Sequence, residues 1–249
     1  MIILKRPEEI EKMAMAGEIV GSAIQLAGER LKPGLNTREI DNWIEDYIRL
    51  KEAIPSFKGY HGFPYASCIS INEEIVHGMP AKNRRIKEGD IVSIDVGAFK
   101  NGYHADSART FAIGTVSAEA KKLMEITFQA LDKAIEKVAP KNPLGTVSHA
   151  IQEWVEKHGF SVIRDYVGHG IGKNLHEDPQ IPNYGEPSYG VILRKGMVLA
   201  IEPMVSAGDW RTDLLKNGWT AVTLDRSLSA HYEDTVALCD SGVRNLTRV

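Results

Sequence analysis

Apolar residues recur at helical spacing along two stretches of the first half of the chain and along two of the second. Ile10, Met13, Gly17, Val20, Ile24, Ala27 and Leu31 fall on one stripe, which predicts an amphipathic helix from Pro7 to Leu31. Pro7 suits the first turn because proline lacks only an N–H that would have no helical partner there, and Glu8 and Glu9 suit the positive end of the dipole. Lys32-Pro33-Gly34 ends the pattern. Thr37 is expected to cap a second helix carrying Ile40, Trp43, Ile44 and Tyr47. The order then returns. Ser117 should cap a helix through Leu123, Ile126, Ala130, Ala134 and Val138, Pro140 and Pro143 should break it, and Thr146 or Ser148 should open a helix through Ile151, Trp154 and Val155.

Strand-like segments follow each helix pair. Val92 to Ala98 and His104 to Ile113 flank Asn101-Gly102, a strong two-residue hairpin signal. Centring the turn there pairs Lys100 with Tyr103 and Gly97 with Asp106, which makes Asp95 and Asp106 diagonal neighbours on one face, roughly 7–8 Å apart at the backbone. Ile86 to Asp95 (IKEGDIVSID) aligns without a gap on Leu193 to Glu202 (LRKGMVLAIE), and the segments around Asp106 (HADSARTFAI) and Glu233 (HYEDTVALC) repeat the correspondence. Four carboxylates thus hold matching places in two halves of one chain, in or beside apolar runs where an unpaired charge is costly to bury. The nearby segments offer few cations to neutralise them, apart from Arg109 and the run Arg84, Arg85 and Lys87. Divalent metal is the more economical partner.

Composition narrows the field of partners. Of 249 residues, 43% are hydrophobic and 25% charged, and the net charge of −3 supplies no basic field for nucleic acid or an anionic membrane. Cys68 and Cys239 are too few for a disulfide framework or a thiolate zinc site. The apolar run after Met1 is shorter than a signal-peptide core, and none reaches the ~18 residues of a membrane span. These features lead us to expect a cytoplasmic protein without membrane or direct nucleic-acid contacts, folded as one domain over residues 1–249 with no tethering linker.

His169 adds a nitrogen donor. It lies in Gly168-His169-Gly170-Ile171-Gly172, where glycines let the backbone crowd a centre and leave the ring free. The segment fails as a phosphate loop, since Val167 and Asn174 stand where Walker A needs Gly and Ser or Thr, and no HExxH zinc motif is present. Four carboxylates and one neutral imidazole around two divalent ions sum to zero charge. Mixed oxygen and nitrogen donors favour manganese, iron, cobalt or zinc over calcium.

Asp95, Asp106, His169, Glu202 and Glu233, with their contexts GYHGFPYASCISINEEIVHGMP, VSIDVGAFKNGYHADSARTF, GHGIGKNLHEDP, AIEPM and SLSAHYEDT, closely resemble the methionine aminopeptidases of the pita-bread metallopeptidase fold. The resemblance runs over nearly the whole chain and fits the short type I form, without the zinc-binding N-terminal extension of some type I members or the helical insert of type II. It implies an α+β fold with two pseudo-symmetric helix–helix–strand halves around a curved antiparallel sheet. It also implies removal of N-terminal methionine ahead of a small second residue, by hydroxide activated at two divalent ions. By the same likeness Asp95 would hold one ion, His169 and Glu202 the other, and Asp106 and Glu233 both. Glu202 would carry the proton, His77 and His176 would contact the substrate backbone and the developing oxyanion, and Tyr60, Phe63, Cys68, His77, Leu175, His176 and Trp219 would bind substrate. Leu175 departs from many relatives, which carry an aromatic residue there. Nascent polypeptide N-termini are the implied substrates, the ribosome a candidate partner and a monomer the expected state. The same fold houses Xaa-Pro aminopeptidases and non-catalytic binding proteins, and the five intact ligands argue against the latter.

Overall fold

Helix α1 spans Pro7–Arg30 and buries Ile10, Met13, Gly17, Val20, Ile24 and Ala27 of the stripe read from the sequence, with Leu31 just past its end, in a computed structural model that describes all of residues 1–249. Helix α2 (Thr37–Leu50) is capped by Asn36 and not by Thr37. The Asn36 side chain accepts the Glu39 N–H at 3.0 Å while Glu39 Oε2 accepts the Asn36 N–H at 3.0 Å, a reciprocal box that satisfies two end groups at once. Thr37 instead turns its hydroxyl to the Ala81 N–H at 2.8 Å, tying the helix start to a distant loop.

In the second half Ser117 caps α3 (Ala118–Ile135) as expected, accepting the Ala120 N–H at 3.0 Å. Helix α4 (Gly145–Lys157) starts without either expected cap. Thr146 bonds back to the Pro143 carbonyl and Ser148 is buried inside the first turns. The loop from Glu186 to Val191 does the capping, because the N–H groups of Leu144 and Gly145 donate to Val191 O and Tyr189 O, each at 2.8 Å. Only glycine fits there: a Cβ on residue 145 would stand 2.2 Å from Glu186 O.

Each helix pair packs on three antiparallel strands. Strands β1 (Ser67–Ile71), β2 (Ile91–Lys100) and β3 (Tyr103–Ala112) form the first set, with Lys100 opposite Tyr103 and Gly97 opposite Asp106 as the Asn101-Gly102 turn dictates. Strands β4 (Gly168–Gly170), β5 (Val198–Ile201) and β6 (Asp234–Cys239) form the second. Ile69 and Ile94 of the first strands are fully buried in one cluster with Ile40 and Ile44 of α2, and Ile201 in another with Leu123 and Leu131 of α3 and Ile151 of α4.

The two sets touch edge to edge. Ala108 and Glu233 exchange backbone hydrogen bonds at 3.3 and 2.9 Å. One step along, Thr235 Oγ1 accepts the Asp106 N–H at 3.0 Å and donates to Asp106 O at 2.8 Å. The expected α+β arrangement of two helix–helix–strand halves is borne out; the ladders group into four antiparallel sheets, and the Ala108–Glu233 bridge joins the two central strand sets. Pro203, with no N–H to continue a ladder, follows directly after β5 and Glu202. Beyond it, Met204–Ser206 leaves to pair with Ser229–His231 and Ser161–Val162. No helix is long and apolar enough to cross a membrane.

Candidate active site

Strand register gathers the four acids. Asp95 faces Ala108 and Gly97 faces Asp106 across the β2–β3 ladder, so the two carboxylates are diagonal neighbours. Glu202 follows β5 and Glu233 precedes β6, where the pairing of Ile201 with Asp234 leaves them adjacent at the ladder's end. The Ala108–Glu233 bridge then presses the second pair against the first. His169 sits in the middle of β4, opposite Ala200. Its flanking glycines are needed for that approach, because a Cβ on Gly168 would lie 2.5 Å from Ala200 O and one on Gly170 2.1 Å from Asp178 O.

These five residues line one cavity of about 350 Å³, together with every residue expected to bind substrate: Tyr60, Phe63, Cys68, His77, Leu175, His176 and Trp219. Phe63 and Trp219 meet edge to face with ring centres 5.1 Å apart, and Tyr60 O–H lies 2.8 Å from His176 Nδ1. Burial pushes the Cys68 thiol well up, and the neighbouring Asp95 and Asp106 add to the shift, so it stays a neutral wall atom. His77 adopts φ 58°, a left-handed conformation uncommon for a residue with a side chain and enriched at functional sites.

None of the four carboxylates pairs with a Lys or Arg. Arg109 is taken by Asp234 Oδ1 at 2.5 Å and by the Glu233 carbonyl, and Arg84 by Glu74. Burial raises Asp95 to about 7 and Glu202 to about 8, and it lifts Asp106 and Glu233 well above the usual carboxylate range, with neighbouring acids adding to the latter two. Desolvation does the opposite to imidazoles, lowering His169 to about 3 and His77 and His231 to about 4.

This donor set fits a pair of divalent ions. Asp95 Oδ1, Asp106 Oδ1 and Glu233 Oε1 are buried with no hydrogen-bond partner, and orphaned buried acceptors are rare unless something else satisfies them. The Nδ1–H of His169 donates to Gly170 O at 2.9 Å, which fixes the tautomer and leaves the Nε2 lone pair aimed inward, the arrangement that metal-binding histidines adopt. Nε2 stands 3.8 Å from Glu202 Oε1, too far for a hydrogen bond and open enough for an ion between them. Asp106, His169 and Glu233 form one compact donor group and Glu202, His231 and Glu233 another.

His231 is the site residue that the sequence reading missed. It is buried, its Nε2 lies 3.3 Å from Glu202 Oε2, and it makes no hydrogen bond there. The available signal was its place two residues before Glu233, the spacing at which extended-chain side chains share a face. Tyr166, whose ring meets His77 with centres 5.7 Å apart, was also missed and carries no comparable signal.

Comparison with known proteins extends over the whole chain. Residues 11–240 match metallopeptidase family M24. A methionine aminopeptidase of Clostridium acetobutylicum is 54% identical over 247 residues, covering 99% of both chains. The crystal structure of methionine aminopeptidase from Thermotoga maritima superposes with a TM-score of 0.98 at 50% identity, covering both chains completely. A prolidase from Pyrococcus furiosus superposes with a TM-score of 0.80 at 28% identity, and there the chain spans only 66% of the longer protein.

Proposed function

The chain belongs to metallopeptidase family M24 as a type I methionine aminopeptidase of the pita-bread fold, and from that premise we propose how its residues divide the work. It is a metal-dependent hydrolase that removes N-terminal methionine. The observation that carries the reading of the site is the meeting of unneutralised carboxylates and an inward-facing imidazole at the floor of a cavity walled by aromatic and sulfur-bearing side chains.

Asp95 would hold one ion, His169 and Glu202 the other, and Asp106 and Glu233 both; bound there, divalent ions lower the pKa of water and polarise a carbonyl. Glu202 would take the proton from the attacking water and pass it to the leaving amine, since its carboxylate lines the cavity beside His169 and His231, where it can reach the nucleophile as well as an ion. His176, steadied by Tyr60, donates to the oxyanion as it forms. His77 contacts the scissile amide from its strained position. Phe63, Cys68, Leu175 and Trp219 enclose the methionine side chain, whose slim polarizable thioether suits such walls. Crowding beside the pocket restricts the second residue to small side chains. Iron, cobalt, manganese and zinc all suit the donors, and cellular supply decides among them.

Nascent chains with a free amine are the substrates in this reading, and the protein acts as a cytoplasmic monomer that meets them at or near the ribosome. Hydrolysis of Met-Ala-Ser against Ala-Pro peptides tests the assignment: release of methionine and neglect of Ala-Pro is expected, and preference for Ala-Pro would instead favour the Xaa-Pro aminopeptidase reading. In a Met-X-Ser series, rates should fall by one to two orders of magnitude between X = Ala and X = Leu, the scale of a misfit in a tight pocket. A flat series would remove the crowding argument. His176→Ala should lower kcat by roughly 10²–10³-fold, the usual loss for one oxyanion donor, as single-turnover assays would register.

A further inference from the structure

The segment that presents His176 has no regular structure of its own. It runs from Gly172 to His176 between β4 and the strand Glu177–Ile181, and a ring held on irregular backbone needs fixing from outside if it is to meet a reacting atom accurately. Glu177, the next residue, supplies the fixing. Its Oε2 accepts from Lys5 Nζ at 2.6 Å, its Oε1 accepts the Asn174 N–H at 3.2 Å, and both charged side chains are only 4% exposed.

Lys5 is itself pinned. Its N–H donates to Gly196 O at 2.7 Å, in the turn that leads into β5 and Glu202. Gly172 leaves room for the lysine stem, since a Cβ there would come within 2.5 Å of Lys5 Cε and 2.6 Å of Glu177 Oε1. On its other side Gly172 O accepts the His104 N–H at 2.8 Å, two residues before Asp106. The His176 segment is therefore moored at once to the strand hairpin of the first half and, through Lys5, to the carboxylate strand of the second.

We propose that the buried Lys5–Glu177 pair is a positioning device for His176, holding the imidazole at the depth where it meets the substrate carbonyl. The inference rests on the role assigned to His176 above. A buried ion pair adds little net stability compared with apolar residues of the same size, because desolvation consumes most of its attraction. What it does supply is direction: a charged hydrogen bond has a narrow geometry, and here it fixes the residue adjacent to His176.

The test compares Lys5→Met, Glu177→Gln and the double variant, which leaves no unpaired charge buried if either single variant folds poorly. Each is assayed on Met-Ala-Ser, with bound metal and Tm measured in parallel, alone and combined with His176→Ala. In the double variant kcat should fall about tenfold or more, the scale of a displaced catalytic group, with KM within about twofold of the parent and metal content unchanged. Combined with His176→Ala, the same changes should cost almost nothing further, since the device acts only through that ring. Unaltered kcat in the double variant, or an equal loss in the His176→Ala background, would overturn the proposal. Full activity of His176→Ala alone would instead refute the role of His176, and the inference would fall with it.

Discussion

Asp106→Asn is expected to abolish turnover while leaving the fold in place. Asp106 is buried at the join between the two strand sets, its backbone is held from both sides by Thr235, and its Oδ1 has no protein partner. Asparagine preserves volume and those backbone contacts but replaces a charged oxygen with a neutral amide. A residue shared between two ions affects both when it is lost. Metal content, read by elemental analysis after purification without chelator, should drop below two per chain. Loss of several kcal/mol of charge stabilisation in the transition state, at 1.36 kcal/mol per decade, corresponds to about three orders of magnitude or more in kcat. Near-normal hydrolysis of Met-Ala-Ser by this variant would exclude Asp106 from the centre.

The second large effect is on stability, and it depends on pH. In the unfolded chain carboxyls titrate near 4 and imidazoles near 6.5. Folding raises Asp95 to about 7, Glu202 to about 8, and Asp106 and Glu233 also upward. At these four groups the folded metal-free protein binds more protons than the unfolded chain above pH 4, so their contribution to stability is lost as pH rises through the folded values. The buried histidines act the other way, since His169, His77 and His231 are lowered to about 3 or 4. Their contribution grows with pH and is complete a little above 6.5. From there to pH 8.5 only the acids act, and metal-free protein should lose a few kcal/mol, on the order of 10 °C in Tm for a chain of this length. Divalent ions replace the protons, so the loaded protein should be nearly flat over the same interval. Calorimetry of chelated and reloaded samples measures the gap. Parallel curves would show that these four carboxyls are not the metal ligands.

Much of this centre was legible because its cues are local. The Asn101-Gly102 turn fixes which residue of β2 faces which of β3, and that alone puts Asp95 beside Asp106. The repeated segments then carried the argument from one pair of acids to the other without any knowledge of tertiary contacts. Where the sequence misled, a distant segment had taken over a local task. Leu144 and Gly145 have their N–H groups satisfied by a loop over 40 residues away, so Thr146 and Ser148 were free for other bonds. Asn36 outdid Thr37 because its amide could complete the reciprocal bond with Glu39. Lys5 reads as an ordinary solvated lysine, and only the folded chain brings it 2.6 Å from a carboxylate 172 residues further on.

The contacts at the join have a property that reaches past this chain. Aligning Asp106 with Glu233 aligns Ala108 with Thr235, so the Ala108–Glu233 backbone exchange and the Thr235–Asp106 contact, made there by the threonine hydroxyl, hold matching places in the two halves. A surface that meets its own image is self-complementary, which is what an isologous dimer requires. Each strand set presents such a matched edge at the join and supplies two of the four acids beside it. Within that matched frame the metal donors are unequal, since His169 and His231 both come from the second half.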